Sequence, residues 1–132
     1  DYAHHRGVQT LVKDLNKLYK THSALYQYDF DHQGFEWIDC HDYQQSIISY
    51  RRKSASEDLI VILNFTPVPR ENYRIGVPRE GVYLEIFNSD SEYYDGTNKG
   101  NGHVHSEPQP WMNMDHSITV TLPPLAGIIL KM

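Results

Sequence analysis

Three kinds of residue in this chain carry side chains that could do chemistry. Asp39 and Asp42 lie three positions apart, and Asp90, Glu92 and Asp95 crowd a second segment. Paired carboxylates cleave glycosidic bonds when they face each other about 5–9 Å apart and one of them is kept protonated by its surroundings. All five sit in polar, turn-like sequence, where a carboxylate stays solvated, so neither group reads as a catalytic pair. His103 and His105 would share one face of a strand, with Glu107 beyond. Zinc takes three or four ligands and supporting hydrogen bonds, so two alternating histidines do not define a metal site. The acidic segment lacks the twelve-residue spacing of a calcium loop. Cys40 and His41 are neighbours in sequence, whereas a Cys/His nucleophile pair is assembled across a fold; Cys40 reads as a small residue at a strand end. There is no phosphate-cradling glycine loop, Gly-x-Ser-x-Gly elbow or zincin motif. The chain holds no self-sufficient active site by this reading, and no cofactor or metal is expected.

Aromatic side chains are the remaining candidates. The sequence has ten Tyr, two Trp and four Phe. One reading is packing in the core and at the edges of a β-sandwich. The other is a carbohydrate surface, because sugars stack on aromatic faces. Trp37, Trp111, Tyr93 and Tyr94 are the residues that could hold sugar. Trp111 leads, since Pro108-Gln109-Pro110 makes a stiff segment that could present it. Trp37 is assigned to the core.

These residues need elements to position them. Val8, Leu11, Val12, Leu15, Leu18 and Tyr19 fall at i, i+3, i+4, i+7, i+10 and i+11, one apolar stripe of an α-helix. Lys13, Asp14, Lys17 and Lys20 take the other face, and Thr21-His22-Ser23 ends the helix. Such a stripe must be buried, either on the rest of this chain or on a neighbouring domain. From Phe35 onward the period is two. Short strands are expected at 35–38, 46–52, 73–77, 82–87, 118–122 and 125–130. Leu59–Leu63 is a continuous apolar run, the mark of a strand buried on both faces. Pro78-Arg79-Glu80-Gly81 is a turn expected to join 73–77 and 82–87 as a hairpin. Residues 88–102 read as a long exposed loop, and 108–115 as irregular. One helix followed by seven or eight strands predicts a mainly β fold, an antiparallel two-sheet Greek-key sandwich preceded by one amphipathic α-helix.

Size and charge narrow the partners. At 132 residues the chain is one domain's worth of sequence and can bury one core. It begins at Asp1, which suggests a processed product or an excised piece. Twelve basic against 17 acidic residues give a net charge of -5. That argues against nucleic acid or an anionic membrane, both of which call for a basic patch. No apolar run reaches the ~18–20 residues of a spanning helix. A single cysteine fits a reducing, cytoplasmic setting.

Five blocks of sequence, in order along nearly the whole chain, resemble one family. They are His5-Arg6-Gly7-Val8-Gln9 with Leu15-Asn16-Lys17-Leu18-Tyr19; Gly34-Phe35-Glu36-Trp37-Ile38-Asp39-Cys40; Asn64-Phe65-Thr66-Pro67-Val68-Pro69-Arg70 through Tyr73-Arg74-Ile75-Gly76-Val77-Pro78; His105-Ser106-Glu107-Pro108; and Leu122-Pro123-Pro124-Leu125-Ala126. Together they are similar to the C-terminal region of bacterial 1,4-α-glucan (glycogen) branching enzymes of the α-amylase clan (glycoside hydrolase family 13). Ser23 departs from the pattern, which has proline before the Ala-Leu pair. The resemblance implies an enzyme that cleaves an α-1,4 link and transfers the chain to a 6-hydroxyl, by a retaining mechanism with an Asp nucleophile and a Glu acid/base. Those residues would lie in a catalytic barrel upstream of Asp1, and none maps here. Residues 1–28 would be the last barrel helix and a linker, and 29–132 the C-terminal sandwich. The partners implied are that barrel and, through the parent enzyme, α-glucan. The alternative is a carbohydrate-binding module that holds glucan through Trp111, Tyr93 and Tyr94. Under the barrel assignment, the Leu11/Leu15/Leu18 stripe should be exposed or buried between molecules, and packing of that stripe on the sandwich of the same chain would count against the assignment.

Overall fold

The computed structural model describes residues 2–132. Helix α1 (Tyr2–Thr21) comes first, then a single turn, α2 (Ser23–Tyr26). Eight strands follow: β1 (Phe35–Asp42), β2 (Ile47–Lys53), β3 (Asp58–Asn64), β4 (Arg70–Val77), β5 (Val82–Asn88), β6 (His103–His105), β7 (His116–Leu122) and β8 (Ala126–Lys131). Six form a large sheet in the order β1-β2-β3-β8-β5-β6, and β4 and β7 form a second, two-stranded sheet. Every pairing is antiparallel.

The period-two segments become strands because each offers one continuous apolar face to the other sheet. Ile60 and Ile62 of β3, Ile75 and Val77 of β4, Tyr83 of β5, Ile118, Val120 and Leu122 of β7, and Ile128 and Leu130 of β8 meet in one buried core. Leu59, Val61 and Ile129 point the other way and are buried too. The continuous apolar run at Leu59–Leu63 therefore has the expected cause: β3 and β8 are covered on both faces.

The outer cover is helical: it corrects the expectation of a Leu11/Leu15/Leu18 stripe left exposed by this chain, and it counts against assigning the helix to a barrel alone. Leu11 and Leu18 pack on Leu59, Val61, Phe87 and Ile129, together with Ala24 and Leu25 of α2. Val8, Val12, Leu15 and Tyr19 remain exposed. One broad stripe thus divides into two ridges, the first seated on the sheet and the second facing outward. Gly7 lets the helix approach the chain around Tyr94, where a Cβ would lie 2.7 Å from the Tyr94 carbonyl oxygen. Ser23 opens α2, and its hydroxyl donates to Glu57 at 3.0 Å and lies 2.7 Å from the Ser54 hydroxyl. Proline at this place could make neither bond.

Two further expectations change. The Pro78–Gly81 turn does not close a hairpin. It carries the chain from the small sheet to the large one, since β4 pairs with β7 while β5 pairs with β6 and β8. Proline and a glycine at φ +150° suit such a crossover as well as they suit a hairpin. The segment 88–102 is not merely an exposed loop. Asp90 is buried, and its carboxylate accepts from the Thr97 amide (3.1 Å), the Thr97 hydroxyl and the Lys99 amide (3.0 Å). Asn101 ties the loop to the small sheet through the Thr121 amide (2.6 Å) and carbonyl (2.9 Å).

Candidate functional site

Trp111 stands on a two-residue hairpin inside the segment expected to be irregular. Trp111 and Met114 exchange both backbone hydrogen bonds at 2.9 Å. Met112 and Asn113 between them have φ of +50° and +63°, the signature of a type I′ turn. Met112 and Met114 pack against the inner core. Beneath the hairpin lies Gly76 of β4, where a Cβ would come within 2.2 Å of the Trp111 carbonyl oxygen. The turn is seated so closely that only glycine fits below it. Trp111 itself is 43% exposed. The legible signal was Asn113, which tolerates positive φ better than most residues.

The hairpin forms one wall of a cleft of about 690 Å³. Asp39 and Asp42 of β1 and Gln45 after it line another wall, and Arg70, Asn72, Tyr73 and Arg74 of β4 line the floor. The strand is bulged here, with a register shift between Arg70 and Tyr73 and Asn72 at φ +54°. Asp42 accepts from the Tyr73 hydroxyl at 2.6 Å and from the Gln45 side chain at 3.1 Å. Burial, aided by Asp42, pushes the Tyr73 phenol well above its ordinary range, so it stays a donor. Asp39 accepts from the His41 amide at 3.0 Å. Arg74 donates to Ser117 (2.7 Å) and pairs with Glu107 (3.4 Å). The Arg70 Nε is buried with no hydrogen-bond partner.

The two carboxylates expected in solvated turns are therefore half-buried in a cleft. They extend from a single strand and are held by protein donors, so they do not straddle the cleft as an acid and a nucleophile would.

The other aromatic candidates lie elsewhere. Tyr93 is exposed beside a second cavity of about 410 Å³, lined also by Glu85, Asn88, Asn98 and Asn101. Tyr94 packs on Phe87, with centroids 5.8 Å apart, and donates to Asp14 of α1 at 2.7 Å. Burial and Asp14 push its phenol up to about 12. Trp37 is not in the core. It is half exposed on the outer face of the large sheet, edge-on to Phe35 (5.0 Å) and Tyr50 (6.0 Å). His103 and His105 are exposed on β6, and no cluster of metal-binding side chains occurs among the described residues. Cys40 is a half-buried free thiol. No described helix is long and apolar enough to cross a membrane.

Comparison with known proteins decides the family. Residues 37–132 match the alpha amylase C-terminal all-beta domain. The chain belongs to that family. Among solved structures, an alpha-amylase from H.orenii carries the same fold, with a TM-score of 0.51 and 18% identity over 86% of this chain and 18% of its own. The 1,4-alpha-glucan branching enzyme GlgB of Cellvibrio japonicus is 61% identical over the whole of this chain. The GlgB enzymes of Nitrosococcus oceani and Methylococcus capsulatus are 56% and 58% identical over 100% and 96% of it. In each case the chain spans less than a fifth of the relative, 17–18% of its length. As a member of the all-beta domain family, the chain has eight antiparallel strands among the described residues, in two sheets, where the sequence predicts seven or eight in two sheets.

Proposed function

We propose that this chain is the non-catalytic C-terminal domain of a cytoplasmic 1,4-α-glucan branching enzyme. The parent would break an α-1,4 link in glycogen and rejoin the freed chain as an α-1,6 branch. The domain's own role is support: it docks on the catalytic barrel of the same polypeptide and holds it in place. The observation that carries this role is the bare ridge of α1. Val8 and Val12 form a helical face with no cover, and Leu15 and Tyr19 continue it only partly covered, although Leu11 and Leu18 beside them are seated on the sheet.

That ridge is not isolated. Leu15 shares an apolar cavity of about 310 Å³ with Tyr50, Val61 and Leu63 on the large sheet. Tyr50 stacks on Phe35 at 5.0 Å, and Trp37 closes the group. Contiguous apolar surface of this kind marks an interface. The occupant is argued from length, since more than four-fifths of each branching-enzyme relative lies outside the matched part. Residues 1–28 then bridge two domains, with one ridge of α1 serving the sandwich and the other the barrel.

The test uses the full-length enzyme and this chain side by side. Iodine staining of amylose should report branch formation by the full-length enzyme and none by the chain. Val12→Lys with Leu15→Lys should lower the melting temperature of the full-length enzyme by several degrees and leave that of the chain unchanged. Equal melting shifts in both proteins, or branching by the chain, would overturn the reading.

A further inference from the structure

We propose that the end of the sandwich where Phe65, Val68 and Leu125 stand exposed is a second seat for the catalytic barrel of the same polypeptide, and that together with α1 it fixes the angle between the two domains. The choice of partner rests on the supporting role proposed above; the seat itself rests on three features of this end.

First, its apolar side chains are exposed together. β3 ends and β8 begins side by side, with Asn64 opposite Ala126. Phe65 is 59% exposed and Leu125 67% exposed, and Val68 on the same loop as Phe65 is half exposed. Phe65 and Leu125 line a cavity of about 210 Å³, together with Leu63, Ala126 and Gly127. None of the residues lining it is charged. Apolar residues scattered singly over a surface are ordinary, whereas grouped ones mark a contact.

Second, the chain holds them outward at a cost. Leu125 follows Pro123-Pro124 in the turn between β7 and β8, and its φ is +47°. Glycine or asparagine suits such a place, and a bulky residue in the left-handed region is an outlier. Leu125 is mostly exposed, so burial within this chain recovers little of that cost. Backbone strain of this kind collects where function requires it. Asn64 fixes the arrangement from beneath. Its buried side chain donates to the carbonyls of Val68 (2.9 Å) and Pro123 (3.0 Å), and accepts from the Thr66 amide (3.0 Å) and hydroxyl (2.8 Å). The Leu125 amide donates to the Thr66 carbonyl at 2.7 Å. The two loops are thus tied to each other before any partner arrives, and little ordering remains for docking to impose.

Third, this end is continuous with the docking face. Leu63, Ser89 and Gly127 line both this cavity and the one beside Leu15. One surface therefore runs from the α1 ridge, across the ends of β3 and β8, to Phe65 and Leu125. A helix ridge alone is a line about which two domains can rock. A contact set off that line removes the rotation.

The experiment is hydroxyl-radical footprinting of the unaltered full-length enzyme and of this chain, read by mass spectrometry. Phe65 and Leu125 should be oxidised severalfold more slowly in the full-length enzyme. Leu125→Asn, which relaxes the turn and removes the apolar group, separates the two proteins by sign. It should leave the melting temperature of the chain unchanged or raise it, and lower that of the full-length enzyme by about 2 °C or more. Equal oxidation rates in the two proteins would overturn the proposal, as would a melting shift of the same sign and size in both. Protection in the chain alone that grows with its concentration would assign this end to a second copy and overturn it as well. The footprint of the unaltered proteins decides even if Leu125→Asn fails to fold. Equal rates alongside a selective effect of Val12→Lys with Leu15→Lys on the full-length enzyme would sink the second seat alone. Loss of both differences would sink the supporting role with it.

Discussion

The two faces of the large sheet are equally oily but differently finished. The inner face is sealed by the small sheet, and Ile60, Ile62, Ile128 and Leu130 there are almost wholly buried. The outer face is closed over Leu59 and Val61 by α1 and α2, then opens toward Tyr50, Phe35 and Trp37, where the rings lie bare or half covered. A face that ends in exposed aromatics beside an apolar helix ridge is one whose cover is only partly contributed by this chain. The difference separates what the domain needs in order to fold from what it presents to a neighbour.

Substitutions can break or sharpen that contrast. The largest effect belongs to the sealed face. Ile118→Ala should cost about 2–5 kcal/mol in urea unfolding, because the small sheet cannot collapse onto the void. A cost as small as that of an exposed residue would mean the two faces are not different.

Next comes the latch that holds the helical cover. Glu57 accepts from Ser23 and from the Ala24 amide (3.3 Å), and pairs with His22 at 2.7 Å and with Lys131 at 3.0 Å. Burial alone would raise its pKa, but the hydrogen bonds from His22, Lys131, Ala24 and Ser23 together outweigh that and hold it at about 2, below the usual 4.5. A carboxyl with a depressed folded pKa stabilises fully above its unfolded pKa and loses that contribution as pH falls through the folded one. Glu57→Gln should therefore cost about 1–3 kcal/mol at pH 7. The gap between variant and parent should narrow as the pH drops from about 5 toward 2. A gap that stays constant with pH would show that the carboxylate charge is not what fastens α1 and α2.

Tyr94→Phe should cost about 0.5–1.5 kcal/mol, since it removes the hydroxyl that meets Asp14 and leaves the ring on Phe87. The smallest effect is expected on the open ridge. Leu15→Lys in this chain should change stability by no more than about 0.5 kcal/mol. A loss several times larger would mean that the ridge serves this chain's own core and not an external surface.

How much of this was legible in sequence depended on whether the signal was local. The apolar run at Leu59–Leu63 reported burial on both faces because each residue's own type carries that information. The strand character of the period-two segments followed from their alternation. The helix stripe did not reveal its division. Leu11 and Leu18 differ from Val12, Leu15 and Tyr19 only by a rotation of about 40–100° around the axis, and only the partner shows which side is filled. The turn at Pro78–Gly81 was recognised as a turn, but its chemistry does not say which strands it joins. Asp90 was misjudged because the donors that bury it lie seven and nine residues away. The cleft was legible in part: Trp111 stood out by type and setting, while Asp39, Asp42 and Arg70 reach it only through the pairing of β1 with its sheet and the bulge in β4.

The placement of β8 bears on how the molecule is made. Ala126–Lys131 is a middle plank, flanked by β3 on one side and β5 on the other. As the polypeptide emerges from the ribosome, the earlier strands must wait with two unpaired edges until this last one arrives. Joining β1-β2-β3 to β5-β6 therefore depends on contacts between distant parts of the chain, which makes it slow compared with the local pairings on either side.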